Sequence, residues 1–348
     1  MTPESLAIFV AMGEVIEGLD LRKGAFARAE LGGGVFTGTQ FEGCDLRDAD
    51  LREAVFDRCD LRGALLSNAN LRRAVFNQCR MDHVDLRQAN LHGATLSECH
   101  AAHAQLGGAN LAMAMVHKTS LDHAVLRAAN LDACTLSQVS LVDAAADDVY
   151  WRQTVVSECK LDHLSWSGST FLRAAFINVA LRGMSFAGLS MEGCQFLAAD
   201  LAQADFEQAN IVGCNFSQAN IEGASFIGVQ GMHALFCEAR GAGVRFRDAR
   251  LRQSLFTGAT LPGADFSGAD LYQAHLAGAQ LPGSRLAGAE LTYADLRHAD
   301  LTRCDLRRAT LLRTVLHGAK LDEALAPDRV RAIESDPALA EAEQWQPQ

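Results

Sequence analysis

Ala49-Asp50-Leu51-Arg52-Glu53-Ala54-Val55-Phe56-Asp57-Arg58-Cys59-Asp60-Leu61 decides how this chain folds, because its centre residues Leu51, Phe56 and Leu61 return every five positions. A helix repeats after about 3.6 residues and a strand after two, so neither produces this period. A coil of short straight segments with a turn at each corner does. Counting outward in fives reaches Leu21 in one direction and Leu321 in the other, without a slip in the frame. Of these 61 centre positions, 49 are Leu or Phe and 57 are large and apolar, so no loop is inserted between the two ends. Two residues before each centre, 51 of the 61 positions hold Ala, Cys, Ser, Thr or Gly. A narrow shaft at native packing density has room for one large side chain per segment only where its inward neighbour is small. The residue between the two is often Asp or Asn, types that hydrogen-bond nearby backbone in turns.

Tandem A-[DN]-[LF]-x-x units such as Ala69-Asn70-Leu71 and Ala269-Asp270-Leu271 resemble the pentapeptide repeat family. The resemblance implies an all-β fold, a right-handed quadrilateral β-helix with four pentapeptides per coil; 61 units then give about fifteen coils, and the terminal residues read as short helical caps. The expected division is an N-terminal cap over 1–16, a single pentapeptide repeat β-helix over 17–323 and a C-terminal helical cap or tail over 324–348. Residues twenty apart should stack, giving one column of Phe186, Phe206, Phe226, Phe246 and Phe266 and a second of Phe176, Phe196, Phe216, Phe236 and Phe256.

The pattern weakens in places. Centres Ala101, Ala146, Gly231 and Gly241 lack a large side chain, which predicts locally underpacked or distorted coils. From 143 to 190 the small column drifts and Trp151 and Trp166 become centres, which predicts a widened or bent section and a candidate binding region. Thr2-Pro3-Glu4 reads as a helix start. Pro327 to Glu334 and Asp336 to Glu343 read as two short helices. These ends are caps, which a solenoid needs to cover its terminal strand edges. Some family members pair through their C-terminal ends, so the resemblance also implies a homodimer through the C-terminal tail, with Trp345 in the contact.

Composition narrows function. The formal net charge of −11 argues against direct nucleic-acid or anionic-lipid binding, which needs a positive surface. The longest apolar stretch, Leu6 to Met12, is too short for a membrane span, and no basic cluster precedes it, so the expected location is cytoplasmic. Nine of the ten cysteines occupy the small inward column, as reduced thiols in place of alanine. No nucleophile elbow, phosphate loop or zinc-protease motif appears, and no catalytic residue or cofactor is assigned.

Two surface features stand out. His83, His103, His123 and His163 share one column with Asp143, a candidate ligand or metal row at the spacing of stacked strands. Between Arg182 and Arg240 there is no Lys or Arg, and Glu192, Asp200, Asp205, Glu207 and Glu222 form a candidate acidic interaction surface. The expected function is a non-enzymatic protein-protein interaction scaffold or adaptor, in a bacterial secretion-system setting that the resemblance allows. The alternative that the resemblance implies is a DNA-mimicking binder or inhibitor of a type II topoisomerase such as gyrase.

Overall fold

The structure is a computed structural model that describes residues 1–326, 329–334 and 336–344. Pro327, Asp328 and Trp345, which the sequence places in the cap and in the tail contact, lie outside the described residues.

Each pentapeptide makes one side of a four-sided coil. The centre residue points inward, and on the sides that do not form three-residue strands its carbonyl accepts the N–H three residues on, as in Gly24 N–H to Leu21 O (3.0 Å) and Ala54 N–H to Leu51 O (3.1 Å). Every fifth residue from Gly13 to Glu323 has φ near +60°, and from Gly18 onward each stands two places after a centre. A turn with that bond and a positive φ at its third residue is of type II. Glycine fills 23 of these corners and no β-branched residue fills any, because a branched Cβ collides with backbone in the left-handed region.

The next coil returns twenty residues later. Parallel bridges join Asp20 to Gln40 and Asp45 to Leu65, and the same register runs onward to Asp305 and Leu325. On the side centred on Ile16, Phe36 and Phe56, longer pairing yields three-residue strands from Val15–Glu17 to Val155–Ser157. Such strands mark about eight turns, fewer than the fifteen coils counted from the repeats. Most other sides contribute a single bridged residue.

The chain divides into two compact units, Met1–Ala175 and Phe176–Gln348, and the division falls within the irregular 143–190 stretch. In the first unit, Thr2 caps helix α1 (Pro3–Ala11), whose Leu6 and Val10 are buried against the opening coil. In the irregular stretch, Tyr150–Arg152 and Thr170–Leu172 pair as a second strand ladder. Buried Trp151 stacks on Phe171 at 5.8 Å, and Trp166 meets the same ring edge-on at 5.6 Å. Two indoles thus fill the section where the small column drifts, although Trp151 Nε1 finds no acceptor among the described residues.

In the second unit the two phenylalanine columns form as expected. Successive rings stack at 4.5–5.2 Å within each column. Rings of opposite columns meet edge to face at 5.3–5.8 Å across the shaft. Both arrangements are ones that the ring quadrupole favours.

At the two glycine centres, neighbouring coils fill the space that a large side chain would take. Leu251 and Ile211 close over Gly231, so that an added Cβ would lie 2.8 Å from Leu251 Cδ2. At Gly241 the Ile221–Glu222 backbone moves in, and an added Cβ would lie 2.5 Å from Glu222 N. The register survives both, with Gly231 N–H to Arg250 O at 2.8 Å and Gly241 N–H to Thr260 O at 3.0 Å. Of the two expected C-terminal helices, the first is only a 3-10 turn, Arg329–Arg331, and the second is helix α2, Pro337–Gln344.

Candidate functional site

Centres Met81, Ala101, Leu121, Leu141 and Leu161 line one side of the first unit, and the residue two places after each is a left-handed corner. His83, His103 and His123 stand on these corners with their rings stacked at 4.7 and 4.8 Å, within 9° of parallel. Asp143 continues the row. Its Oδ1 lies 3.1 Å from His163 Nδ1 and its Oδ2 lies 4.0 Å from His123 Nδ1. All five side chains are exposed, so the structure assembles the whole predicted row at the surface.

Corner geometry explains part of this column. Histidine, asparagine and aspartate are the non-glycine residues that tolerate positive φ best, and six of the eleven histidines occupy corners. Its spacing also bears on metal binding. Two nitrogens sharing one ion at about 2.1 Å lie at most about 4.2 Å apart, so parallel rings repeating at the coil spacing must tilt together to share one. Beside the row, Asp82 accepts from Ala102 N–H (3.2 Å) and Asp122 from Val142 N–H (3.0 Å), bonds that tie one coil to the next.

The acidic residues divide among three sides of the second unit. Asp200 and Glu222 flank the centres Leu201 and Ile221 of one side, Asp205 and Glu207 flank Phe206 on the next, and Glu192 follows Met191 on a third. Asp200 pairs with Arg182 (3.0 Å) and accepts from Asn220 Nδ2 (2.9 Å), and Glu207 accepts from Ser225 Oγ (2.9 Å). These five do not make one continuous acidic face.

Arginine is concentrated in residues 22–87 and 285–313, and these segments are largely self-neutralised by pairs that a sum of net charge does not reveal. In each Asp-Leu-Arg triplet the guanidinium folds back across the centre residue onto the carboxylate. The pairs are Asp20–Arg22, Asp45–Arg47, Asp50–Arg52, Asp60–Arg62, Asp85–Arg87, Asp295–Arg297 and Asp305–Arg307, at 2.5–2.7 Å. The same carboxylates accept the arginine's own N–H, as from Arg307 N to Asp305 Oδ1 at 3.1 Å. Hydrogen bonds from Arg307 hold the Asp305 carboxyl down to about 2. The signal was present in the sequence as a repeated Asp-Leu-Arg.

The inward cysteines do more than fill space. Cys59, Cys79 and Cys99 each donate to the carbonyl of the centre residue 23 positions earlier, at 3.2–3.5 Å, as Thr39 and Thr119 do in the same column. Burial pushes the Cys134 thiol up to about 12, so it stays protonated. A second surface feature lies at the irregular section, where a cleft of about 480 Å³ is lined by Asn130, Asp132, Tyr150, Arg152 and Leu172. Arg152 there grips Asp132 with two hydrogen bonds, one of 3.0 Å between Nε and Oδ1.

A parallel, four-sided β-solenoid whose sides repeat every five residues is a repeat scaffold. Family models described as "Pentapeptide repeat region", matching 49–126, and "Pentapeptide repeats (8 copies)", matching 25–63, 199–230, 249–288, 270–308 and 289–325, together span more than half of the chain. This chain belongs to the pentapeptide repeat family. Among solved structures it is similar to HetL, a pentapeptide repeat protein involved in heterocyst differentiation regulation from the cyanobacterium Nostoc sp. strain PCC 7120. That match has 22% identity over 95% of this chain and 99% of HetL, with a TM-score of 0.18. It is also similar to QnrB1, a plasmid-mediated fluoroquinolone resistance protein, with 21% identity over 60% of this chain and 93% of QnrB1 and a TM-score of 0.26. A pentapeptide repeat protein from the Arabidopsis thaliana thylakoid lumen matches at 27% identity over 29% of this chain and 66% of its own, with a TM-score of 0.17. No curated protein matches. No helix among the described residues is long and apolar enough to cross a membrane.

Proposed function

We propose that this chain is a non-enzymatic scaffold that binds another protein through the histidine-bearing side of its first unit. The stacked row of His83, His103 and His123, extended by Asp143 and His163, supports this reading most directly. Side chains fixed by stacking on rigid corners lose little conformational entropy when a partner docks, and preorganisation of that kind favours affinity. Cross-linking tests it. A photo-reactive residue placed at Asp82 should cross-link to a partner in the native host, and the His83→Ala, His103→Ala, His123→Ala triple variant should lose that adduct. An unchanged adduct in the triple variant sinks the proposal.

The DNA-mimic alternative needs a run of negative charge along one side, whereas Asp200, Asp205, Glu207, Glu192 and Glu222 divide among three. Inhibition of gyrase supercoiling by the purified protein would replace the scaffold reading with this one. A cytoplasmic, bacterial setting near a secretion system, and pairing of two copies through the C-terminal tail, complete the proposal. Sedimentation of the full chain against one truncated after Glu323 tests the pairing.

A further inference from the structure

Among the described residues, His317 is the only buried histidine, and helix α2 with its capping residue Asp336 engages both of its nitrogens. Nδ1 accepts from the Asp336 N–H at 3.1 Å, and Nε2 lies 3.2 Å from Glu343 Oε2. The other Glu343 oxygen, Oε1, lies 3.4 Å from His298 Nε2. The two imidazoles sit 5.5 Å apart at 85°, both turned toward the same carboxylate. His298 lies over Gly318, where a Cβ would come within 2.3 Å of its Nδ1, so the glycine makes room for the ring. Asp336 caps the helix that carries Glu343, accepting from Ala338 N–H at 2.9 Å.

We propose that His298, His317 and Glu343 bind one divalent transition-metal ion, zinc or an ion of similar preference, and that this ion fastens α2 to the final coils. Ligands about 2.0–2.1 Å from a tetrahedral ion stand about 3.3 Å from one another. Each imidazole already lies near that separation from the carboxylate, His317 Nε2 at 3.2 Å from Oε2 and His298 Nε2 at 3.4 Å from Oε1, so a small turn of the Glu343 carboxylate brings one oxygen to the ion between the two rings. All three ligand atoms lie within 4.8 Å of one another, and this is the one such group among the described residues. Two imidazoles and a carboxylate are a borderline donor set suited to zinc, cobalt or nickel, and three protein ligands leave a fourth position for water. The His83 row, with its parallel rings, offers no comparable convergence.

Binding makes one demand on His317. Its Nε2 lone pair must face the ion, so the ring proton resides on Nδ1 and the hydrogen bond from Asp336 N–H is given up. The metal-free alternative is a latch in which His317 keeps its proton on Nε2 and donates it to Glu343.

The two are separated by titrating chelator-treated full-length protein with zinc chloride, followed by calorimetry and native mass spectrometry. One ion per chain is expected, with affinity reduced at least about tenfold in His298→Ala and in Glu343→Gln. Both residues are exposed, so neither change empties the core. Cobalt should give the visible absorption of a tetrahedral ion in the wild type and not in these variants. A His83→Ala, His123→Ala double variant should bind as the wild type does. Absence of stoichiometric binding, binding undiminished in both single variants, or binding lost in the His83 and His123 variant would each overturn the proposal.

Discussion

Replacing Phe216 by alanine tests the packing of the second unit at its most connected point. Phe216 is fully buried, stacks on Phe196 at 5.1 Å and Phe236 at 4.9 Å, and meets Phe206 and Phe226 edge-on at 5.4 Å each. Truncating a buried phenylalanine costs about 3–5 kcal/mol, more where the site cannot collapse. Collapse is restricted here, because the neighbouring rings are carried by coils bridged at fixed spacing, as Gln195 is to Asn215 and Asp205 to Ser225. Aromatic contacts add about 0.5–1.5 kcal/mol each beyond buried area. The expected loss for Phe216→Ala is therefore near the upper end, about 5 kcal/mol. Phe216→Leu retains most of the volume and should lose about 1–2 kcal/mol. In a solenoid stability is a sum of nearest-neighbour terms, so the damage should stay local. Urea unfolding gives the magnitude, and hydrogen exchange gives the location, with protection falling in the coils of Phe196 to Phe236 and unchanged near Leu296. A loss under about 1 kcal/mol for Phe216→Ala, or an equal loss for Phe216→Leu, would refute the ladder as the source of stability.

Gly241→Ala should cost about 3 kcal/mol or more, since the new methyl meets backbone, while Gly231→Ala should cost about 1 kcal/mol because the Leu251 side chain can turn away; thermal denaturation separates them. At the exposed corner Ala198, with φ +54°, substitution by valine should cost about 1–2 kcal/mol, and glycine should be tolerated. Asp305 has its folded pKa depressed to about 2, so its contribution is complete above the unfolded value of about 4 and is lost as pH falls toward 2. Asp305→Asn should flatten the stability profile across that window, and an unchanged acid slope would show that the Arg307 clamp is incidental. Trp151→Phe removes a buried N–H that has no acceptor among the described residues, which offsets part of the packing lost from the stack on Phe171, so the net cost should stay under about 1.5 kcal/mol in the same denaturation assay.

Much of the fold was legible because one period governs it. Leu51, Phe56 and Leu61 mark the inward positions directly, and multiplying that period by four placed Phe186 above Phe206. Packing at Gly231 and Gly241 was not legible, because the space a missing side chain leaves is filled by residues twenty positions away. The pairing of Arg47 with Asp45 and of Arg297 with Asp295 does not show in a regional sum of charge, because the clamp acts within three residues. The histidine row was visible as a column, and its stacking follows from the coil spacing. His317 could not be singled out, since its partners Asp336 and Glu343 come from the tail, where the five-residue frame has ended.

The left-handed corners have a consequence for how such a protein changes over generations. Because each corner side chain projects away from the shaft, its identity is uncoupled from the hydrophobic interior, and nearly any unbranched residue is admissible there. Lysine, arginine, glutamate, glutamine, histidine and tyrosine all occur at these corners without disturbing the register. Mutation can therefore rewrite the chemistry of an edge one position at a time, while the letters on the inside stay almost constant. The same scaffold can acquire or lose a partner by drift at its corners alone.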